Sequence, residues 1–314
     1  EVYLDLTHGF RSLSVVLLTA LQFALRAKKA TLKEVSYGAF EAARDKDAPV
    51  APTFNLTPFF VLNDWTDAVA VFRASRDLRP LARLAKRASG EVRRQLRADA
   101  PTTLGPLAGS LEAFAKVMAE TRLPAIAKTA ADCQTALRAC EVDVRMHDET
   151  KPIAHLLEEI AVALEPLKGG DDAWREVRAG LAATSWALGG NNLHAAATLL
   201  RESLVSGIQQ WHAKLGRALL DRRVADSVLG GWSKGKKADP SKMEDGAFEV
   251  LIALREAVPA THWTAMENAI AELVQVRNAL DHAFTGNSPN DPTKQLSKIC
   301  LRLDEHLDGT FSAT

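Results

Sequence analysis

From Asp64 onward the chain is written almost wholly in helical periodicity, and ahead of that point only two segments read as strands. This asymmetry restricts the fold to an α+β arrangement with the sheet confined to the beginning. Val2–Thr7 is a short, mostly apolar strand. Ser12 or Ser14 can cap the helix that follows, whose apolar face includes Val15, Leu18, Leu21 and Leu25. Val35–Phe40, with Val35, Tyr37 and Ala39 alternating, is the second strand. A strand–helix–strand unit of this length implies a parallel pair with a right-handed crossover. Pro49, Pro52 and Pro58 make residues 44–58 a loop or an irregular edge. A parallel-sheet domain needs more strands than two, and Glu1 already lies in a strand. The expectation is a chain that begins inside its first domain.

The helical part starts near Asp64, with Trp65, Ala68, Val69 and Phe72 facing inward. Residues 73–97 carry nine Lys/Arg against two Asp/Glu, a pattern that suits a solvated helix face more readily than an RNA-binding one. Pro101–Pro106 breaks the pattern, which resumes over 107–145 and 153–165. Gly169–Asp172 is a turn, and Asn191–His194 starts a long helix through Leu215. Residues 230–246, with a Ser-Lys-Gly-Lys-Lys run, read as a surface loop. Thr264–Glu267 has the spacing of a capping box, and Met266, Ile270, Leu273, Leu280 and Phe284 lie on one face behind it. A last helix covers about 293–307. The boundaries that follow are 1–72 for the strand-containing domain and 73–314 for the helical one.

Lys plus Arg equals Asp plus Glu at 39 each, which argues against a protein that coats long nucleic acid non-specifically. Cys133, Cys140 and Cys300 lack paired metal spacing and read as core filling, and so low and odd a count suits a reducing cytoplasm. The apolar run Leu13–Leu25 is too short and interrupted to span a membrane.

Chemistry concentrates in Arg277-Asn278-Ala279-Leu280-Asp281-His282. At about 100° per residue, Arg277 falls in the same stripe as Leu273 and Leu280, where an arginine must be paired or must face a partner or a phosphate. Asn278 and His282 are four apart and share a face. Together they suit transesterification of RNA by its own 2′-hydroxyl. His282 would move protons, Arg277 would stabilise charge on phosphate oxygens, and Asn278 would orient the phosphate or the histidine. No metal is needed for this chemistry. On an ideal helix His282 points roughly away from Arg277, so the two converge on one phosphate only if the helix distorts near its end or a second copy supplies the partner group, as a two-fold interface would allow. A buried Arg277–Asp281 pair with His282 capping the helix suits the same residues. At the other end, Asp5-Leu6-Thr7-His8-Gly9-Phe10-Arg11 reads as a strand running into a turn and a helix, a place to hold a nucleotide phosphate. It also suits an Asp5–Arg11 pair with Gly9 simply making the turn.

The two motifs together resemble a known family. Asp5–Arg11, followed by Tyr37-Gly38-Ala39-Phe40-Glu41, looks like the second half of a CARF domain of the type III CRISPR ancillary proteins. Arg277–His282 resembles the Arg-Asn-x-x-x-His signature of HEPN ribonucleases, and Leu199–Glu202 resembles the helical half of the same family. The resemblance implies a partial Rossmann-like parallel α/β segment, N-terminally incomplete, followed by a large all-α domain containing the HEPN motif. It implies a homodimeric prokaryotic, cytoplasmic endoribonuclease of antiviral defence, activated by cyclic oligoadenylate and cutting single-stranded RNA without a metal or other cofactor. Carried over by residue, Thr7, His8 and Gly9 face the nucleotide, Asp5 and Arg11 support the turn, and Arg277, Asn278 and His282 form the nuclease site. Three other readings stand beside this one. The chain can sense the nucleotide without cutting and regulate a partner, it can be a HEPN interaction protein of a toxin–antitoxin pair, or its CARF half can degrade the activator with help from His8 or Thr7.

Overall fold

The computed structural model describes residues 1–7, 11–28, 30–39, 51–95, 103–145, 153–170, 172–281 and 291–311, with backbone alone at 11–12, 91–95 and 307–311. The fold is α+β: a small three-stranded mixed sheet and a majority of helix. It divides into two compact units, Glu1–Asp67 and Ala68–Thr314.

The first unit runs β1 (Val2–Asp5), α1 (Arg11–Lys28), β2 (Leu32–Gly38), β3 (Thr53–Asn55) and the beginning of α2 (Thr57–Ser75). β1 and β2 pair in parallel, as the strand–helix–strand pattern requires, with Leu4 opposite Val35 and Asp5 opposite Ser36. β2 begins three residues earlier than the alternation of Val35, Tyr37 and Ala39 suggests. Its first residues, Leu32–Glu34, are exposed or half-buried, so no alternation marks them. The third strand lies inside the stretch read as a loop. β3 pairs antiparallel with β2, Tyr37 opposite Phe54, and all three of its residues are exposed. A three-residue strand with no buried face leaves no period-2 signal, and the prolines around it dominate the reading. α1 also turns differently from the expected face. Val15 is 65% exposed, and the less exposed side is Leu17, Leu18, Leu21 and Leu25. Leu6, Val35 and Trp65 form the buried centre of the unit. Arg26 of α1 pairs with Asp67 of α2.

α2 starts at Thr57, ahead of the expected Asp64, with Pro58 inside its first turn. The backbone N–H that proline lacks there would have no helical partner anyway, so Pro58 opens this helix rather than ending a loop.

The second unit continues with α3 (Arg79–Gln95), α4 (Leu104–Ala119), α5 (Leu123–Arg145), α6 (Ala154–Leu164), α7 (Arg175–Gly189), α8 (Leu193–Lys214), α9 (Arg222–Lys234), α10 (Ala247–Ala257), α11 (Ala260–Asp281) and α12 (Pro292–Phe311). Neighbours in sequence pack as successive hairpins, α3 on α4, α4 on α5, α5 on α6 and α7 on α8. α12 closes the group by packing on α7, α8 and α11. Each helix buries one stripe. In α5 it is Leu123, Ile126, Ala127, Ala130, Cys133, Leu137, Cys140 and Val144, the three- and four-residue spacing of one helical face. Phe72, Phe114 and Trp186 meet in the core, with Phe114 edge-on to Trp186 at 5.5 Å.

Cys133, Cys140 and Cys300 are all buried and free, in the core as their spacing suggests. Burial pushes the Cys133 thiol up to about 12 and the Cys140 thiol up to about 11. Raising a thiol from 9.0 to about 12 cuts its thiolate fraction at a given pH about 1,000-fold. Native protein at pH 8 will therefore react with Ellman's reagent far more slowly than free cysteine, and all three thiols will titrate after unfolding. Fast labelling of the native protein would contradict this packing.

Three further expectations are corrected in this unit. The break at 101–106 is shorter, because Leu104, Gly105 and Pro106 form the first turn of α4. Thr103 just ahead of it donates through its backbone N–H (3.0 Å) and Oγ1 (2.7 Å) to Asp143 of α5. The surface loop at 230–246 is in part helix. Gly230–Lys234 continue α9, Trp232 is fully buried, and 235–237 and 240–242 are single 3-10 turns. Gly231 is there for closeness rather than for a turn, since a Cβ would lie 2.7 Å from Met243 Cε and 2.9 Å from Leu251 Cδ2. The capping box at Thr264–Glu267 does not form. α11 has already started at Ala260, the Thr264 hydroxyl donates to the Ala260 carbonyl (3.0 Å), and Glu267 accepts from the Trp263 indole (2.8 Å).

Candidate functional site

The candidate nuclease motif lies at the C-terminal end of α11. That helix buries Trp263, Met266, Ala269, Ile270, Leu273, Val276 and Leu280, a continuous stripe against α8, α9 and α12. Arg277 does not lie in it. Four residues beyond Leu273 it is rotated by about 40°, enough to leave the stripe, and its side chain is 45% exposed. Val276 takes the inward position instead. Asn278 beside it is exposed. The end of α11 therefore presents an arginine and an amide on the surface, which a phosphate can reach without desolvating a buried charge.

Arg277 Nε stands 3.6 Å from Asp281 Oδ2. The alternative of an Arg277–Asp281 pair is thus met in its partners but not in burial, since Asp281 is 48% exposed as well. A pair so exposed contributes about 0–1 kcal/mol and holds Arg277 only loosely. Phe284 and His282 lie outside the described residues.

The fold brings one residue to this place that the motif does not contain. His194, in the first turn of α8, has its Nδ1 3.9 Å from Asp281 Oδ1. Asn192 caps that helix by accepting from the Ala195 N–H at 3.2 Å, which fixes where its first turn ends up. Asp281 thus stands between Arg277 and His194. In sequence the only hint was an Asn-Asn-Leu-His helix start more than eighty residues upstream, and no spacing rule connects the two.

At the other candidate site, in the first unit, Asp5 ends β1. Its Oδ1 accepts from the Thr7 N–H (2.8 Å) and the Thr7 hydroxyl (2.5 Å), and Thr7 Oγ1 accepts from the Gly38 N–H (2.8 Å). Thr7 therefore ties the ends of β1 and β2 together. A Cβ at Gly38 would lie 2.8 Å from Thr7 Cγ2, so this closeness needs glycine. His8, Gly9, Phe10 and the Arg11 side chain lie outside the described residues, as do Phe40 and Glu41.

Among the described residues of the basic stretch 73–97, four cations are engaged within their own unit. Arg73 pairs with Glu159, Arg79 with Asp77 (2.8 Å) and Lys86 with Glu112 (3.4 Å). Arg76 lies over the Phe72 and Trp186 rings. The Arg79 guanidinium holds the Asp77 carboxyl below the usual carboxylate range, and the Arg73 guanidinium does the same to Glu159. Leu199–Glu202 serve the packing of α8 on α9. Leu199 and Leu200 are fully buried, Arg201 pairs with Asp226, and Glu202 with Arg201 (3.0 Å) and Arg222. Glu202 and Arg222 also border a cleft of about 440 Å³ with Arg122, Thr198, Ser206 and Gln209, and no residue of either motif lines it. Among the described helices none is long and apolar enough to cross a membrane.

No family model matches the sequence. Over 96 residues, 31% of the chain, it is 28% identical to a CRISPR-associated protein of Methanocaldococcus jannaschii, and the match spans 15% of that protein's length.

Proposed function

We propose that this chain is a CRISPR-associated endoribonuclease that cuts single-stranded RNA when cyclic oligoadenylate binds its strand-containing unit, a reading that joins the motif resemblance to the similarity with a CRISPR-associated protein. The observation that carries it is the surface placement of Arg277 and Asn278 side by side at one helix end. The 2′-hydroxyl attacks the adjacent phosphorus. The P–O2′ bond forms, the P–O5′ bond breaks, and a 2′,3′-cyclic phosphate and a 5′-hydroxyl remain. His282 takes or returns the proton, Arg277 takes charge from the non-bridging oxygens, and Asn278 orients the phosphate. Two copies complete the site in a homodimer. The exposed Leu13, Val16 and Phe23 fall on one side of α1, an apolar strip that suits pairing of copies through the strand-containing unit. In the strand-containing unit, Asp5 and Thr7 brace the turn against which Thr7, His8 and Gly9 meet the nucleotide, with Arg11 supporting it.

The test is cleavage of a fluorescent single-stranded RNA in EDTA, with and without cyclic tetra- or hexa-adenylate. Cleavage dependent on the nucleotide is the expected result. No cleavage in either condition, with the protein folded and the nucleotide shown to bind, would leave a sensor that regulates a partner.

A further inference from the structure

His262, in the first turn of α11, and His306, near the end of α12, meet with their Nδ1 atoms 3.0 Å apart. Their rings cross at 73° with centroids 5.1 Å apart, and both residues are half-buried. The seam they share is held in register by a second contact between the same helices, Arg302 to Glu272 at 3.0 and 2.5 Å. Among the described residues no carboxylate lies within ion-pair distance of either imidazole, and no group of three or more His, Cys, Asp or Glu is clustered for a metal.

We propose that His262 and His306 chelate one late first-row transition-metal ion, Cu²⁺, Ni²⁺ or Zn²⁺, through their two Nδ1 atoms, with water completing its shell. The spacing fits a single ion. With metal–imidazole bonds of about 2.0–2.1 Å, two ligands at a right angle stand about 2.9 Å apart, and at the tetrahedral angle about 3.3 Å. The observed 3.0 Å falls between them. The donor set chooses the metal, because neutral imidazoles without carboxylates favour copper, nickel and zinc over magnesium or calcium. Two protein ligands make the ion exchangeable. Its effect is to clasp the start of α11 to the end of α12, since an ion that binds only the folded seam stabilises it. Arg277 lies about 22 Å farther along α11 at 1.5 Å per residue, so the clasp is separate from the candidate nuclease site. Without an ion, the same spacing is one N–H···N hydrogen bond between imidazoles of opposite tautomer.

The experiment titrates the chelator-stripped chain with Cu²⁺ alone and reads electron paramagnetic resonance and melting temperature. Wild type is expected to take up one equivalent per chain with hyperfine coupling from two imidazole nitrogens, and to melt about 3 °C or more higher. His262→Gln and His306→Gln, each checked for helix content by circular dichroism, are expected to lose both the signature and the shift. His212→Gln, away from this seam, is expected to keep them. Absence of stoichiometric copper in wild type, or a two-nitrogen signature that survives in His262→Gln and His306→Gln, overturns the proposal. Neither readout involves RNA, so this result and that of the nuclease assay fail separately.

Discussion

Arg277→Ala will lower single-turnover cleavage of single-stranded RNA about 100-fold or more while leaving the melting temperature nearly unchanged. The two halves of this expectation have different physical sources. In the resting protein Arg277 is 45% exposed and makes a 3.6 Å contact with an equally exposed Asp281. Surface pairs of that kind contribute about 0–1 kcal/mol, so the fold loses little. Under the proposed mechanism, the same guanidinium would face a phosphorane whose charge has moved onto its oxygens in the transition state. A well-placed donor there is worth about 3–4 kcal/mol, by analogy with oxyanion-hole residues. Arg277→Lys keeps the charge and loses the planar fork, so its rate should fall between wild type and Arg277→Ala. His282→Ala should cost about 100- to 10,000-fold as loss of the proton carrier. The double variant should be little slower than the worse single one, because the residues act as a unit. Wild-type cleavage by Arg277→Ala under saturating cyclic oligoadenylate would remove Arg277 from the mechanism.

A large structural effect is expected at Gly180. There α7 and α8 are close enough that a Cβ would lie 2.0 Å from Ser203 Oγ, 3.1 Å from Ser203 Cβ and 2.6 Å from Leu123 Cδ1. Ser203 cannot easily turn away, since it is fully buried and its hydroxyl donates to the Leu199 carbonyl at 2.7 Å. In an exposed helix, glycine to alanine would gain about 1 kcal/mol of propensity. Overpacking a full core costs about 1–3 kcal/mol, and more where backbones must part. The clash wins, and Gly180→Ala should lose about 2 kcal/mol net, seen as a lower urea midpoint with an unchanged slope. Ser203→Gly in the same chain removes two of the three close atoms and should recover part of the loss. Gly180→Ala at wild-type stability would mean that α7 and α8 do not approach this closely at Gly180.

How much of this was legible in the sequence depended on how strongly each segment repeats. The buried stripe of α5 recurs over about six turns, so Cys133 and Cys140 were placeable in the core before any fold was known. The parallel pairing of β1 and β2 followed from connection length alone. β3 escaped because three exposed residues carry no period. The start of α2 was hidden by Pro58, which reads as a breaker although it fits a first turn. Gly231 reads as loop for the same reason, since a glycine that packs closely against its neighbours looks identical in sequence to one required for a turn.

The candidate site divides along the same line. The motif at Arg277–His282 and the turn after β1 are local strings, and local strings are what a sequence carries. Whether Arg277 lies under the apolar stripe or beside it turns on about 40° of helix rotation, which packing against α8, α9 and α12 decides. The approach of His194 to Asp281, and of His262 to His306, joins residues far apart in the chain. The sequence by itself determined the helical character of the chain after Asp64, the parallel strand pair and the residue types able to handle a phosphate. The tertiary structure alone decided which side chains far apart in the chain meet. Periodicity records how each helix faces the core, whereas contacts between helices depend on how several such faces pack at once.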